Sequence, residues 1–158
     1  MKSANLSRAL PAARGRRFGI VASRFHGEIV ERLLEGAVGL LKRAGVEPEN
    51  LRIERVPGAW EIPQGLDLLA RTQKFDALIS LGVLVRGETL HFELIARECA
   101  RGIGEVAHRY GLPVTFGVLT CETMEQARAR SGGAVGNQGE EAAQAALEMA
   151  DLTGRIAG

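Results

Sequence analysis

An excess of charge of one sign is missing from this chain: 20 Lys and Arg stand against 19 Asp and Glu, a formal net charge of +1. No global field therefore recruits a nucleic acid or a membrane surface. Thiols are scarce as well. Cys99 and Cys121 stand alone, without a CxxC pair or further cysteines, and so support neither a zinc site nor a disulfide framework. No apolar stretch approaches the roughly 18 residues needed to span a bilayer. The basic N-terminus lacks the continuous apolar segment of a secretory signal. From these absences a cytoplasmic protein is expected. Neither GxGxxG nor GxxxxGK followed by Ser or Thr occurs, which removes the main support for nucleotide folds built on those loops. Aromatic residues make up only 4% while Gly numbers 20, a balance suited to tight strand–helix turns and close helix packing.

What is present is one alternating α/β pattern. A length of 158 residues with 46% hydrophobic content suffices for a single domain with a substantial core. The chain is organised around residues 76–92. Residues 77–85, ALISLGVLV, are almost unbroken apolar, the signature of a strand covered on both faces in a parallel sheet. The run stops at Arg86-Gly87, and Glu88-Thr89-Leu90-His91 opens a helical pattern that reaches about Tyr110. A strand that turns at glycine into a helix leaves free N–H groups at the edge where open α/β sheets bind ligands. Thr89 and His91 there suggest an anion site beside a titratable group.

Upstream, residues 18–22 read as the first strand and 23–27 as its turn. The spacing Ile29, Leu33, Ala37, Leu41, Ala44 predicts an amphipathic helix from Glu28, ended by Gly45. Residues 51–56 alternate and are short, as in a sheet-edge strand. After a second turn at 57–60, Glu61-Ile62-Pro63 opens a helix with Pro in its first turn. Downstream, 114–119 is the fourth strand. Thr123 with Gln126 fits a capping box at the start of a short helix. Residues 131–137 break that helix, and an alanine-rich final helix begins at Gln138, thin enough to pack closely on another backbone. No repeat or linker divides the chain. The expectation is a three-layer α/β sandwich: a four-stranded, mainly parallel sheet with helices on both faces. Lys2, Arg8, Arg14, Arg16 and Arg17, with no acidic residue among them, mark residues 1–16 as a basic arm, disordered or docked on a neighbour, ahead of one domain over 17–158.

Four turns after four strands bring Phe25, residues 59–61, residues 84–91 and the segment after Leu119 to one edge. Each candidate also has a plainer reading. His91 suits a general acid or base, or a solvated helix residue. Phe25 could stack on a heterocycle, or close the core. Glu61 could contact a ligand, or complement the helix dipole. Arg130 could bind phosphate bidentately, or end a helix in solvent.

Motifs in a fixed order decide between these readings. They are Ser23-Arg24-Phe25, residues 56–63 (VPGAWEIP), residues 82–92 (GVLVRGETLHF), residues 116–120 (FGVLT), and Glu125-Gln126-Ala127 with Arg130. Gly136-Asn137 and Glu148-Met149 follow. Over roughly residues 15–152 the chain resembles the 6,7-dimethyl-8-ribityllumazine synthases, which implies a flavodoxin-like sheet. It also implies condensation of 5-amino-6-(D-ribitylamino)uracil with 3,4-dihydroxy-2-butanone 4-phosphate, in riboflavin biosynthesis, with no metal and no organic cofactor. By this resemblance Phe25 stacks on the pyrimidine ring. Ala59, Trp60 and Glu61 hold the ribityl chain and ring edge; Val83, Leu84 and Val85 line the heterocycle; Phe116 closes the pocket. Glu88, Thr89 and Arg130 take the phosphate, and His91 shuttles protons. The resemblance further implies pentamers, alone or assembled into capsids, with sites between subunits. Phe116 and Arg130 would then come from the neighbour, and the short connector at 131–137 matches capsid formers. No nucleic acid or membrane partner is implied. The chain differs from the family at His26 (usually Asn), at Gln138 (usually Lys) and at Leu90 (often Thr or Pro). An archaeal-type riboflavin synthase and a weakly catalytic flavin-binding or cage protein are the alternatives; the motifs at 57–63 and 86–91 favour the synthase over the first of these, while the changes at His26 and Gln138 give the cage protein some room.

Overall fold

A computed structural model describes residues 9–157. Four strands form one sheet in the order β2-β1-β3-β4: β1 is Phe18–Ser23, β2 Leu51–Val56, β3 Ala77–Val85 and β4 Val114–Cys121. Every pairing in it is parallel, so all four strands end at one edge. The expected sandwich is thus present, with a sheet parallel throughout. β1 and β3 occupy the centre, and β1 is buried along its whole length, β3 along all but its last two residues. β2 is an edge strand, as its short sequence predicts, although its exposure does not alternate: Arg52, Ile53 and Arg55 are all exposed.

Parallel strands need crossover helices, and these cover both faces. α1 (Gly27–Arg43) and α5 (Gln138–Ala157) pack on one face; α2 (Ile62–Ala70) and α3 (His91–Tyr110) pack on the other. Two apolar clusters result. Phe18, Ile20, Ile79 and Leu81 meet Leu33, Leu41 and Leu147 on the first side. Val21 and Leu78 meet Ile62, Leu66, Ile103 and Val106 on the second. Each fully buried Leu or Ile contributes about 1.5–3 kcal/mol by leaving water. Two buried hydroxyls are paired: Ser80 Oγ of β3 donates to Thr115 O of β4 at 2.7 Å, and Thr115 Oγ1 to Ala142 O of α5 at 2.9 Å.

The thin face expected of the last helix is real. A Cβ placed on Gly139 would sit 2.0 Å from Leu33 O, so α5 lies directly on the backbone of α1. Three local expectations change. α3 begins at His91, three residues later than its pattern predicts. Thr89 Oγ1 accepts from His91 N–H at 3.3 Å, and this side-chain turn competes with helix over 88–90. Residues 131–137 are not an irregular break; β5 (Ser131–Gly133) and β6 (Gly136–Asn137) pair antiparallel after α4 (Met124–Ala129). The capping box at α4 is altered in register. Thr123 Oγ1 accepts from Gln126 N–H at 3.2 Å, while Gln126 Oε1 accepts from Glu122 N–H at 2.8 Å.

Residues 1–8 of the basic arm lie outside the described residues. Beyond them the chain is tied to its own fold: Ala13 N–H donates to Ala44 O at 3.0 Å, and Arg16 Nη1 to Ala150 O at 2.8 Å.

Candidate active site

The carboxyl ends of β1, β2 and β3 and the start of α3 enclose a cleft of about 950 Å³. Such a volume lies at the upper end of the range for small-molecule sites. Its walls come from four segments. Phe25 and His26 stand on the turn after β1; residues 57–61 follow β2; Val83, Leu84 and Val85 end β3; Gly87, Thr89 and His91 lead into α3. Of the residues singled out from sequence, nine therefore meet here: Phe25, Ala59, Trp60, Glu61, Val83, Leu84, Val85, Thr89 and His91. Glu88 shares the turn at 86–90 but does not line the cleft. Phe116 and Arg130 do not line it either.

Local chemistry explains how these groups are held. Arg24 N–H donates to Val56 O at 2.8 Å, which joins the first two turns. Residues 59–61 form one turn of 3-10 helix ahead of α2, with Pro63 in the first turn of α2. Glu61 Oε2 accepts from Gly58 N–H at 3.0 Å, so this carboxylate braces its own turn. Ala59 is buried beneath, whereas Trp60 is 57% exposed and Phe25 66% exposed. Two large aromatic faces thus stand open at the rim.

At the start of α3 the first helical bond runs from Leu94 N–H to Leu90 O at 3.1 Å. The N–H groups of Phe92 and Glu93 have no carbonyl partner among the described residues. Such donors, at the positive end of a 20-residue helix, favour an anion. His91 is exposed beside them.

The turn at 86–90 is anchored from outside the cleft. Arg86 Nε donates to Glu122 Oε2 at 2.7 Å and Nη1 to Glu93 Oε1 at 3.0 Å, with the guanidinium 4.9 Å above the Phe92 ring. Its pKa is raised by these bonds, Glu93 first and Glu122 next, so the cation is engaged by carboxylates, and Arg86 does not line the cleft. Glu98, at the far end of the cleft, is held below the usual carboxylate range by its hydrogen bond from Arg101. The described lining contains two carboxylates, two imidazoles and no Lys or Arg.

The two remaining candidates lie along β4 and beyond it. Phe116 is 41% exposed on edge strand β4. Arg130 ends α4, where its Nη1 donates to Gln126 O at 3.1 Å. It lies near Cys121, whose thiol burial pushes up while the Arg130 charge acts in the opposite sense. Sequence reasoning missed Phe92, Leu94, Ile95 and Glu98 as lining. Helical spacing from His91 was the available signal, since residues 91, 94, 95 and 98 share one face. No group of three or more His, Cys, Asp or Glu is placed to hold a metal among the described residues. No described helix is long and apolar enough to cross a membrane.

Residues 15–154 match the family described as 6,7-dimethyl-8-ribityllumazine synthase. A protein of that name from Aquifex aeolicus (strain VF5) is 49% identical over 140 residues, covering 89% of this chain and 91% of the relative. Another of that name from Desulfatibacillum aliphaticivorans is 46% identical over 141 residues, with the same two shares.

Proposed function

Since the chain belongs to the 6,7-dimethyl-8-ribityllumazine synthase family, we propose that its cleft condenses 5-amino-6-(D-ribitylamino)uracil with 3,4-dihydroxy-2-butanone 4-phosphate. The products are 6,7-dimethyl-8-ribityllumazine, inorganic phosphate and water, and the reaction belongs to riboflavin biosynthesis. The observation that carries this reading is the meeting of an open aromatic wall, Phe25 and Trp60, with helix N–H donors and an imidazole in one cleft.

The aromatic side receives the uracil. Phe25 stacks on the ring, residues 59–61 hold its edge and the ribityl chain, and residues 83–85 form the floor. The phosphate goes to the start of α3, near Glu88 and Thr89, where unbonded N–H groups and the dipole favour negative charge. This places the uracil amine against the butanone carbonyl. The amine attacks the carbonyl and water leaves to give an imine; phosphate is then eliminated; the second nitrogen closes the ring with loss of another water. Each step moves a proton, and His91 is the group beside the phosphate end able to carry it. Holding two substrates in register supplies much of the acceleration, on the order of 7–11 kcal/mol for well-oriented pairs. No cofactor enters this chemistry.

Among the described residues the chain's own cleft gives that phosphate no cation, since the lining holds two carboxylates and no Lys or Arg. Arg130 and the exposed Phe116 do not line the chain's own cleft and are supplied to an adjacent copy's cleft. The working assembly is therefore a homo-oligomer with sites between subunits, a pentamer or a capsid of pentamers. The catalytic unit is the domain over 17–158, acting in the cytoplasm, and the partners are small molecules rather than nucleic acid or membrane.

Trp60 is the only tryptophan in the chain, so its fluorescence reports occupancy of the cleft directly. Titration with 6,7-dimethyl-8-ribityllumazine should quench it saturably, and mixing the two substrates should generate lumazine fluorescence. Conversion of lumazine into riboflavin would indicate the riboflavin synthase alternative. Saturable quenching without turnover would indicate a flavin-binding protein.

A further inference from the structure

Strain, cleft exposure and missing polar partners coincide at His26. Its backbone sits at φ 56° and ψ 52°, the left-handed region, at the N-cap of α1. His tolerates that region better than most residues but gains nothing from it locally. An N-cap side chain ordinarily accepts a bond from the first turn. The imidazole of His26 makes no such bond; the helix starts on backbone alone, Ile29 and Val30 N–H donating to His26 O at 3.0 and 3.2 Å. Neither ring nitrogen has a hydrogen-bond partner among the described residues.

What the half-buried ring does have is Phe25. The two centroids are 4.9 Å apart with planes at 77°, an edge-to-face pair. Adjacent side chains point apart in a strand; the left-handed turn folds these two onto one another. Phe25 otherwise projects into the cleft largely uncovered. An unsupported ring there would lose rotamer freedom on stacking, and that loss weakens binding.

We propose that His26 is a positioning residue for recognition of the heteroaromatic substrate: its imidazole holds the Phe25 ring in a preset orientation, ready for stacking. This rests on the reading of the cleft given above. The strained backbone at residue 26 is retained because it delivers the imidazole to Phe25 rather than to the helix end.

The test is a double-mutant cycle read as the Kd of 6,7-dimethyl-8-ribityllumazine, followed by Trp60 fluorescence. His26→Asn removes the ring while tolerating the left-handed backbone, and His26→Gly removes it with no steric cost. Each should weaken lumazine binding about 2- to 10-fold, the range expected of an aromatic pair, and leave inorganic phosphate binding unchanged. In a Phe25→Ala background the same substitutions should have almost no effect. Equal weakening in both backgrounds, or none in the wild-type background, overturns the proposal while leaving the cleft's function intact. Failure of the wild-type protein to bind lumazine would instead overturn the reading of the cleft, and this inference with it.

Discussion

On the proposed mechanism, replacing His91 with Ala removes the proton carrier but leaves the walls that would align the two substrates. Turnover should fall about 10- to 10³-fold rather than vanish. A rise in KM at unchanged kcat would mean that His91 only binds. On the same proposal Arg130→Ala takes a cation away from the phosphate, and a lost charged hydrogen bond costs ~1.5–3 kcal/mol. The phosphate substrate should then bind about 10- to 100-fold more weakly. Arg130→Lys should recover only part of this, because a point charge cannot make the two-pronged contact. Titration with inorganic phosphate checks both variants. Cys99 lies outside this chemistry. Burial pushes its thiol from an ordinary 9.0 up to about 12. A folded-state pKa above the unfolded one gives stability that is complete below about pH 9 and declines as pH climbs toward 12. At pH 8 the native thiol should resist iodoacetamide and become labelled only on unfolding.

Elements meet at two junctions that can be broken singly. Gly139 lets α5 rest on α1, and a methyl there would stand 2.0 Å from Leu33 O. Since backbone cannot move aside as a side chain can, Gly139→Ala should cost about 3 kcal/mol or more, read from the denaturation midpoint. At the junction of α2 and α3, Asp67 forms an ion pair with Arg71 Nε at 2.6 Å and accepts from Arg109 Nη1 at 2.9 Å and Tyr110 Oη at 2.9 Å. The element order was legible because each strand carries a distinct pattern. An apolar run stands at 77–85, alternation at 51–56, and helical spacing runs from Ile29 to Leu41. The start of α3 was not legible, since it turns on Thr89 taking an N–H that a helix would otherwise use. The pairing of β5 with β6 was hidden for a related reason: residues 131–137 are mostly glycine and small polar residues, which carry no period. Within the cleft, the strand-end residues followed from topology. Glu98 and Leu94 did not, because a helix face can be assigned to a cleft only once the opposite wall is known. The orientation of Arg86, clamped by Glu93 and Glu122, likewise depends on contacts distant in sequence.

At the scale of the whole molecule, one chain presents an aromatic wall and a helix end suited to an anion, and among the described residues their lining holds no Lys or Arg. The proposed completion by a neighbour has a distinctive consequence. His91→Ala and Arg130→Ala proteins, each impaired alone, should regain activity when unfolded together and reassembled. Random mixing would pair an intact His91 with an intact neighbouring Arg130 at about a quarter of the sites. Unrestored activity in mixed assemblies would place both residues in one subunit's site. The claim on which all of this depends is that the cleft joins the two substrates, and it is tested most directly by counting products. Wild-type protein given both substrates should release inorganic phosphate and 6,7-dimethyl-8-ribityllumazine in equal amounts, and neither product should form when one substrate is omitted. Phosphate release without lumazine, or no reaction with both substrates present, would contradict the account.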